Sequence, residues 1–316
     1  MIKYSLSRLF ESFVTVFLIV TLIFLLMRMM PKEYFFTEAE LDRLTHEQVE
    51  ERLTRAGLND PVPEQLLRFY RQLLQGDLGK STRIRNGAPV LELVGERFQV
   101  SMRLGLIALA IALVVGVAIG TLQALFKGGI PDHLGTAYTV FINAVPHLVS
   151  YSLILAVGSK VFGLPSIYST KDPATTSILP IICMALTSIA SYALWTRRYV
   201  VDEFTKDYLK LARVKGMTSR EIAFKHVLRN AFVPLVHQIP ASILLTISGS
   251  MLVERFFSVP GMGGILTEAV SKYDVNMVQG LVMIYSTLGI LGVFLGDLLM
   301  MLVDPRIKLT GKGDTR

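Results

Sequence analysis

Long apolar runs alternate with polar stretches along the 316-residue chain, and six of these runs have the length of a membrane-crossing helix. A helix needs about 20 mostly apolar residues to span the hydrocarbon core of a bilayer. The pattern therefore predicts an all-α membrane protein with six transmembrane helices. The predicted spans are Phe13–Met30 and, approximately, Ser101–Phe126, Thr136–Phe162, Ser177–Thr196, Val233–Val253 and Met277–Val303.

A polar stretch, residues 32–99, separates the first span from the second. Its run EAELDRLTHEQVEERLTRAGL is helix-like and is ended by Gly57. We therefore expect a folded or semi-folded insert outside the membrane. The first span lacks the small-residue cleavage site of a signal peptide, which favours a retained helix. The predicted organisation is an N-terminus with the first helix (1–31), the insert (32–99), a five-helix core (100–303) and a tail (304–316).

Composition and charge place the chain in the membrane and orient it. Hydrophobic residues make up 52% of the chain and charged residues 18%, against about a quarter charged in soluble domains. Residues 197–232 carry nine Lys/Arg against four Asp/Glu, whereas the connection 254–276 carries two against three. Basic loops stay in the cytoplasm. We therefore expect residues 197–232 and both termini to be cytoplasmic and the insert external.

The stretch LLQGDLGKST, residues 73–82, ends as a phosphate-binding loop ends. That motif requires a glycine five residues before Gly79, at position 74, where Leu74 stands. No strand leads into it, and Arg83 and Pro89 follow where a helix would begin. The pattern indicates a polar loop rather than a nucleotide site.

Residues 197–232 are longer than a simple turn between spans requires, and their pattern is helical. Tyr208, Leu211 and Ala212 are predicted to share one face of a first helix, which Gly216 ends. A second helix is predicted to start at Thr218 or Ser219, with Glu221 helping to cap it. Its apolar residues are Ile222, Phe224, Val227 and Leu228. On pattern alone, this segment docks on a partner or lies on anionic lipid.

Several motifs resemble one family. DYLKLARVKG followed by HVLRNAFVP resembles the cytoplasmic coupling motif of ATP-binding-cassette importer permeases, a Gly-centred helix–turn–helix that docks in a cleft of the ATPase subunit. YSLSRLFESF, GDLGKS with PVLELVGERFQVSMRLGL, VERFFSVPGMGGILTEAV and VDPRIK resemble, in order, stretches of the dipeptide/oligopeptide branch. The resemblance covers nearly the whole chain. Two departures are PKEY at residues 31–34 and Lys210-Leu211-Ala212, where the wider pattern has Glu-Ala-Ala.

The resemblance implies a type I importer permease fold and a place in a larger assembly in the bacterial cell membrane. The chain is similar to the B-like membrane subunit, which carries a long external insert. The implied partners are a second homologous permease, two ATP-binding subunits and an extracytoplasmic substrate-binding protein. ATP and Mg²⁺ are expected on the ATPases, with no cofactor and no enzymatic activity on this chain. Oligopeptides or dipeptides are the implied solutes; nickel chelates, glutathione and oligosaccharides are the alternatives within the family.

The resemblance also assigns a coupling site. In it, Gly216 provides a break where a side chain would clash, and Ala212 keeps the docking face shallow. Lys215, Arg220 and Arg229 pair either with acids of the ATPase or with lipid phosphate. The implied coupling residues are Asp207, Tyr208, Ala212, Arg213, Lys215, Gly216, Arg220, Glu221, His226, Arg229, Asn230 and Pro234.

Polar residues in or near the spans are candidates for a translocation path, although a hydrogen bond to a neighbouring helix is the more frequent role of such residues. The candidates are Asn143, His147, Gln238, Ser242, Thr246 and Ser250, with Tyr192, His237 and Ser248 as further polar residues. The expected external gate comprises Glu254, Arg255, Pro260 and Gly261. The histidines have no partners at metal-ligand spacing, so no metal site is expected.

Other residues in the spans are expected to be structural. Asp297 is costly inside a span unless paired, and Arg306 or a partner protein is the expected neutralising group. The lone cysteine, Cys183, is expected to pack as a small hydrophobe. Two Gly-x-x-x-Gly pairs, 116/120 and 292/296, predict close helix packing.

Two other functional classes remain open on sequence grounds. An ion-coupled secondary transporter would show inverted repeats and helices broken in mid-membrane, and the chain shows no such internal similarity. A membrane receptor or scaffold binding through the insert leaves the helical segment 197–232 unexplained. Stoichiometric ATPase subunits in the purified complex are expected only for the importer.

Overall fold

The protein is described here from a computed structural model covering residues 2–31, 45–55, 57–247 and 250–303. This part of the chain is helical, and its one β-type pairing is an isolated bridge between Lys80 and Pro89. The first eight helices are α1 (Ile2–Arg28), α2 (His46–Arg55), α3 (Val62–Leu74), α4 (Val90–Leu125), α5 (Ile130–Ala144), α6 (His147–Phe162), α7 (Pro173–Thr176) and α8 (Ile178–Phe204). The remaining helices are α9 (Tyr208–Val214), α10 (Ser219–Ile222), a π-helical turn (Ala223–Val227), α11 (Leu228–Ala231), α12 (Val233–Ile247), α13 (Met251–Phe256), α14 (Met262–Ser271) and α15 (Val275–Val303).

Five stretches are long and apolar enough to cross a membrane, and the consecutive helices α5 and α6 add a sixth when the bent pair is counted as one span. The five are Leu6–Arg28, Val90–Leu125, Pro173–Phe204, Val233–Phe256 and Val275–Leu299. The predicted all-α membrane fold is therefore confirmed. Two of the helices continue well beyond the predicted spans, α4 towards its N-terminus and α8 towards its C-terminus, because hydropathy detects only the apolar part of a longer helix.

The third predicted span is not one helix. α5 and α6 meet at an angle of 111°. Val145 between them is extended, with φ −82° and ψ 129°, as expected for a residue that precedes a proline. Pro146 cannot donate a backbone hydrogen bond to continue α5. A dipeptide inside an apolar run thus divides the predicted span into two helices.

The two Gly-x-x-x-Gly pairs are confirmed as helix-packing sites. A Cβ on Gly116 would lie 2.8 Å from the carbonyl oxygen of Ile189 on α8. A Cβ on Gly292 would lie 2.8 Å from Cα of Ala241 on α12. The glycines therefore allow α4 to approach α8, and α15 to approach α12, more closely than any larger residue would allow.

The buried core runs along the contacts of α4 with α8 and α12. Cys183 of α8 is fully buried in it beside Leu104 and Leu179, as expected for a packed thiol. A separate cluster joins the start of α4 to α14 and α15 through Val90, Ile265 and other apolar residues. Another cluster lies at the opposite end of α4 and holds residues 197–232 against the helix ends.

Candidate functional site

The coupling segment, residues 197–232, forms the predicted pair of short helices with a break at Gly216. Gly216 has φ +82°, a conformation that L side chains rarely adopt. Thr218 begins the second helix with a capping box, in which its side chain accepts from the backbone N–H of Glu221 and Glu221 accepts from that of Thr218. The predicted start of this helix is confirmed. These bonds hold the Glu221 carboxylate in its ionised form and lower its pKa.

The reason predicted for Gly216 needs correction. A Cβ built at this position meets no other atom within 4 Å. A side chain would therefore not clash within this chain. The requirement for glycine comes from the left-handed backbone, where a Cβ is strained by its own carbonyl group.

The prediction that Ala212 forms part of the docking face of the first helix is also wrong. Ala212 is 7% exposed and packs in the core with Leu209, whereas Leu211 is 59% exposed. The buried pair rests against Val200 of α8 and Ala124 of α4. Because α8 continues past the predicted span, it offers an apolar surface on which Leu209 and Ala212 pack, and this turns Leu211 outward.

Three large apolar side chains of the coupling segment project from the protein. Leu211, Val214 and Phe224 are 59%, 83% and 57% exposed. The positive side chains of Lys215, Arg220 and Arg229 are exposed as well. Within the described part of the chain, none of these three cations has an ion pair with a carboxylate. The surface thus combines uncovered apolar area with positive charge.

A polar network attaches the coupling segment to the end of α8. Tyr208 Oη donates to Glu203 Oε1 at 2.6 Å, and Asn230 Nδ2 donates to the same oxygen at 3.1 Å and to Tyr208 Oη at 2.9 Å. Burial, followed by the bond to Glu203, raises the pKa of Tyr208 to about 12. Tyr208 and Asn230 were predicted from the sequence, whereas Glu203, near the end of α8, was not.

The other predicted coupling residues occupy the rim of this segment. Asp207 pairs with Lys210 at 2.7 Å on the surface. Arg213 is exposed, and the His226 ring meets that of Tyr208 edge-on at 6.5 Å. Pro234 is the second residue of α12, where a proline is tolerated because its N–H would have no partner in the helix.

Five of the six predicted path residues line one cavity of about 480 Å³ between α4, α6, α8 and α12. These five are His147, Gln238, Ser242, Thr246 and Ser250. The sixth, Asn143, instead donates to the carbonyl oxygen of Thr139 one turn earlier in α5. Ser248 lies outside the described residues. The structure therefore brings together residues that are more than 100 positions apart in the sequence.

The cavity lining contains no Asp, Glu, Lys or Arg side chain and is rich in hydroxyl groups. Thr187, Ser188 and Ser191, which were not predicted from the sequence, line the cavity from α8 beside Tyr192. Their i, i+1, i+4 and i+5 spacing places them on one helix face and is the signal that identifies them. Tyr192 Oη donates to Ser242 Oγ at 2.7 Å. Such a lining offers donors and acceptors without fixed charge.

Glu254, predicted at the external gate, is buried and holds a tight turn. Its carboxylate accepts from Ser101 Oγ at 2.6 Å and from the backbone N–H groups of Gly263 at 2.8 Å and Gly264 at 3.2 Å. A Cβ on Gly261 would lie 2.5 Å from Cδ of Glu254, so only glycine fits there. The neighbouring Arg255 is exposed, and Pro260 is partly buried.

The GKST stretch binds an internal carboxylate. Asp274, which is fully buried, accepts from Ser81 Oγ and from the backbone N–H groups of Thr82, Arg83 and Ile84 at 3.2, 3.0 and 3.1 Å. The loop therefore does wrap an anion with its amides, but that anion is the side chain of an aspartate just before α15. The polar loop predicted here is a structural anchor.

Two ion pairs, both partly shielded from water, link helices near the site. Asp297 lies 3.4 Å from Arg8 Nε and 3.9 Å from His237 Nε2; Arg306, the expected partner, lies outside the described residues. Asp132, which the sequence analysis did not single out, accepts from Arg197 Nε at 2.6 Å and Nη2 at 2.9 Å. This bidentate pair joins the start of α5 to the first residue of the coupling segment, in α8.

Known proteins share this architecture. A solved structure of the MetNI methionine ABC transporter in inward-facing conformations aligns with a TM-score of 0.53 over 68% of this chain and 97% of its own, at 15% identity. A crystal structure of an amino acid ABC transporter aligns with a TM-score of 0.51 at 16% identity, over 69% and 95% of the two chains. These likenesses support the type I importer permease fold.

Sequence relatives span the chain. The dipeptide transport system permease protein DppB of Bacillus subtilis (strain 168) is 31% identical over 99% of this chain and 100% of its own. The oligopeptide transport system permease protein OppB of Haemophilus influenzae is 28% identical over 98% and 100%. The glutathione transport system permease protein GsiC of Pectobacterium atrosepticum is 31% identical over 98% and 99%.

The family match covers most of the helical core. Residues 116–309 match the family described as binding-protein-dependent transport system inner membrane component. This range includes the cavity-lining parts of α6, α8 and α12 and the whole coupling segment. The chain therefore belongs to this family, in the branch of ATP-binding-cassette importer permeases that includes the dipeptide and oligopeptide proteins.

Proposed function

We propose that this permease forms half of the path through which an ATP-driven importer carries dipeptides or oligopeptides across the bacterial cell membrane. A second, homologous permease supplies the other half, and an extracytoplasmic binding protein delivers the solute. The observation that carries the proposal is the hydroxyl-lined cavity between α4, α6, α8 and α12, which has no Asp, Glu, Lys or Arg in its lining. Its hydroxyl and amide groups suit a ligand recognised through peptide N–H and C=O groups, whatever its side chains.

Glutathione is a second candidate solute, because GsiC is as similar to this chain as DppB is. A lining without Asp, Glu, Lys or Arg does not by itself distinguish a short peptide from glutathione. Uptake into a deletion strain that carries the restored complex tests both with labelled dipeptides, tripeptides and glutathione. Peptide uptake that excess glutathione leaves unchanged favours peptides; the absence of peptide uptake contradicts the proposal.

The coupling segment is proposed to dock on separate ATPase subunits, which bind ATP and Mg²⁺, while this chain binds no cofactor. In this arrangement residues 197–232 and both termini are cytoplasmic, residues 32–99 are external, and residues 100–303 form the permease core. ATP binding then biases the permease between an inward-open and an outward-open packing. Support comes from the exposed Leu211, Val214 and Phe224, which need an apolar partner to leave water.

Co-purification tests the docking surface directly. Phe224 is exposed, so Phe224→Asp leaves the fold of this chain intact but places a charge in the proposed apolar contact. We expect the variant complex to lose its ATPase subunits while keeping the second permease. Phe224→Leu, which stays apolar, is the matched control and retains the subunits. ATPases that remain stoichiometric with Phe224→Asp, and equally with Val214→Asp, would show that docking occurs elsewhere.

A further inference from the structure

Helix α3 of the insert contacts the middle of the first span. The Tyr70 ring stacks on that of Phe17 with 5.2 Å between centroids. Tyr70 Oη lies 2.6 Å from Thr21 Oγ1 and 3.2 Å from the carbonyl oxygen of Phe17, to which it donates. Phe17 is the central residue of the apolar stretch Leu6–Arg28. A side chain of the insert therefore reaches the mid-point of a helix that is apolar enough to cross the bilayer.

The contacts between the two helices are ordered along α1. Arg28, at the end of the stretch, shares a small cavity with Arg68 of α3. One turn deeper, Phe24 stacks on Phe69 with 5.1 Å between centroids, and Tyr70 reaches Phe17 below it. Arg28 and Phe17 are separated by about 16 Å along the helix axis, which is about half of the hydrocarbon thickness. α3 thus lies beside the half of α1 that ends at Arg28.

One flank of α3 is apolar and the other is polar, as expected for a helix at this depth. Its apolar side chains follow an i, i+1, i+4, i+7, i+8 pattern and are Leu66, Leu67, Tyr70, Leu73 and Leu74. Leu67 is 57% exposed and Leu74 is 87% exposed. The polar residues Glu64, Arg68 and Gln72 form the other flank. The polar flank is at the level of Arg28, and the apolar flank faces the level of Phe17.

We propose that α3 is an interfacial helix seated in the bilayer leaflet that surrounds the Arg28 end of α1. Leu67 and Leu74 contact acyl chains, and the polar flank lies among the headgroups. The neighbouring part of α1 is also apolar and exposed, since Leu18 is 60% and Leu22 56% exposed. A helix with one apolar and one charged flank lies at a membrane surface in this way.

The insert predicted to lie outside the membrane is thus partly in contact with it. Residues 62–74 belong to the membrane-facing surface rather than to a domain that stands clear of the bilayer. The geometry depends only on contacts between α3 and α1. It holds for either orientation of the chain and for any transported solute, so it is independent of the proposed function.

Tryptophan quenching by brominated lipids tests the proposal in the full-length protein within its complex. Trp195 is the only tryptophan, so Trp195→Phe provides a silent background. Single tryptophans are then placed at Leu67 or Leu74, with Glu64→Trp on the polar flank of the same helix as the matched control. Leu18→Trp provides a reference for full lipid contact. Vesicles of phosphatidylcholine with and without brominated acyl chains are compared, and acrylamide reports access from water.

We expect Leu67→Trp and Leu74→Trp to be quenched by brominated lipid about as strongly as Leu18→Trp and at least about twofold more than Glu64→Trp. Strong acrylamide quenching with weak lipid quenching at both leucine positions would place α3 in water and overturn the proposal. Protection from both quenchers would show that another protein surface covers the flank, which also overturns it. All four positions are exposed, so the substitutions do not disturb packed side chains.

Discussion

The two ends of the helical core differ in how their connecting segments are held. At one end, here called the anchor end (residues 77–89, α13, α14 and the start of α15), the buried Asp274 carboxylate binds backbone amides of the distant residues 82–84. The buried Glu254 carboxylate binds the backbone amides of Gly263 and Gly264 in α14. At the other end, the coupling segment satisfies its turn with its own capping box and leaves Val214 and Phe224 exposed.

This difference separates a self-contained region from an incomplete one. A buried carboxylate that accepts several hydrogen bonds fixes the loops around it, because losing the carboxylate leaves their donors without partners. An exposed apolar surface on short helices gains its stability only when something covers it. We therefore expect substitutions at the anchor end to affect folding most and those in the coupling segment to affect function more than stability.

The largest effect is expected for Asp274→Ala. The change leaves the hydroxyl of Ser81 and several backbone N–H groups buried without an acceptor. We expect a loss of about 3–5 kcal/mol of unfolding free energy. Reaction of the buried Cys183 with a thiol-reactive dye during heating measures unfolding, because the thiol is hidden in the folded protein.

Asp77→Ala is the matched control for this loop. Asp77 is exposed and accepts from the backbone N–H of Gly79 at 2.8 Å. Its loss should cost at most about 1 kcal/mol. Equal destabilisation by the two substitutions would contradict the role assigned to the Asp274 carboxylate.

A smaller effect is expected for the ion pair that joins α5 to α8. Asp132→Ala leaves Arg197 partly buried without its bidentate partner, and we expect a loss of about 2–4 kcal/mol. In the double variant Asp132→Ala/Arg197→Ala, part of this loss should be recovered because no unpaired charge remains. A double-mutant cycle from thermal unfolding measures the coupling, and strictly additive effects would contradict the pair.

Gly216 tests whether the coupling segment needs a left-handed turn. Gly216→Val should cost about 1–2 kcal/mol locally because a β-branched residue is strained at positive φ. Transport should fall strongly while the complex stays assembled in the membrane. Gly216→Asn is the informative control, since asparagine tolerates this conformation, and it should retain most uptake. Wild-type uptake by Gly216→Val would show that the turn is not required.

The smallest effect is expected at the capping box. Thr218→Ala removes one side-chain acceptor and should weaken the short helix by about 1 kcal/mol. Hydrogen exchange of the Glu221 and Ile222 amides measures this local opening. In this variant Val214 and Phe224 stay exposed, as in the wild-type protein, so thermal unfolding of the core should change little.

The capping box also predicts a pH dependence. The pKa of Glu221 lies below its usual value because the carboxylate accepts from the Thr218 backbone N–H. Its stabilising contribution is thus present above the ordinary glutamate pKa and is lost as the pH falls through the lowered value. Exchange at Ile222 should therefore show extra protection at neutral pH that disappears in acid. Glu221→Gln should abolish this dependence, and a dependence that persists would assign it to another group.

Much of the architecture was predictable because a membrane span can be recognised from the apolar composition of one continuous stretch of sequence. The six apolar runs, the two Gly-x-x-x-Gly contacts and the capping box at Thr218 follow from spacing along a single helix. The five cavity residues were found individually as polar positions in apolar runs. Pro146 was visible too, yet the length of the run concealed the break that it causes.

What the sequence alone determined about this protein is its helical membrane fold, its family motifs and the position of the Gly216 turn, because each depends on neighbouring residues. The tertiary structure alone decided that Ser81 meets Asp274 across 193 positions, that Ala212 faces the core, and that Tyr70 lies beside Phe17. The physical reason is that burial and depth in the membrane depend on which distant helices provide a surface. No local pattern carries that information.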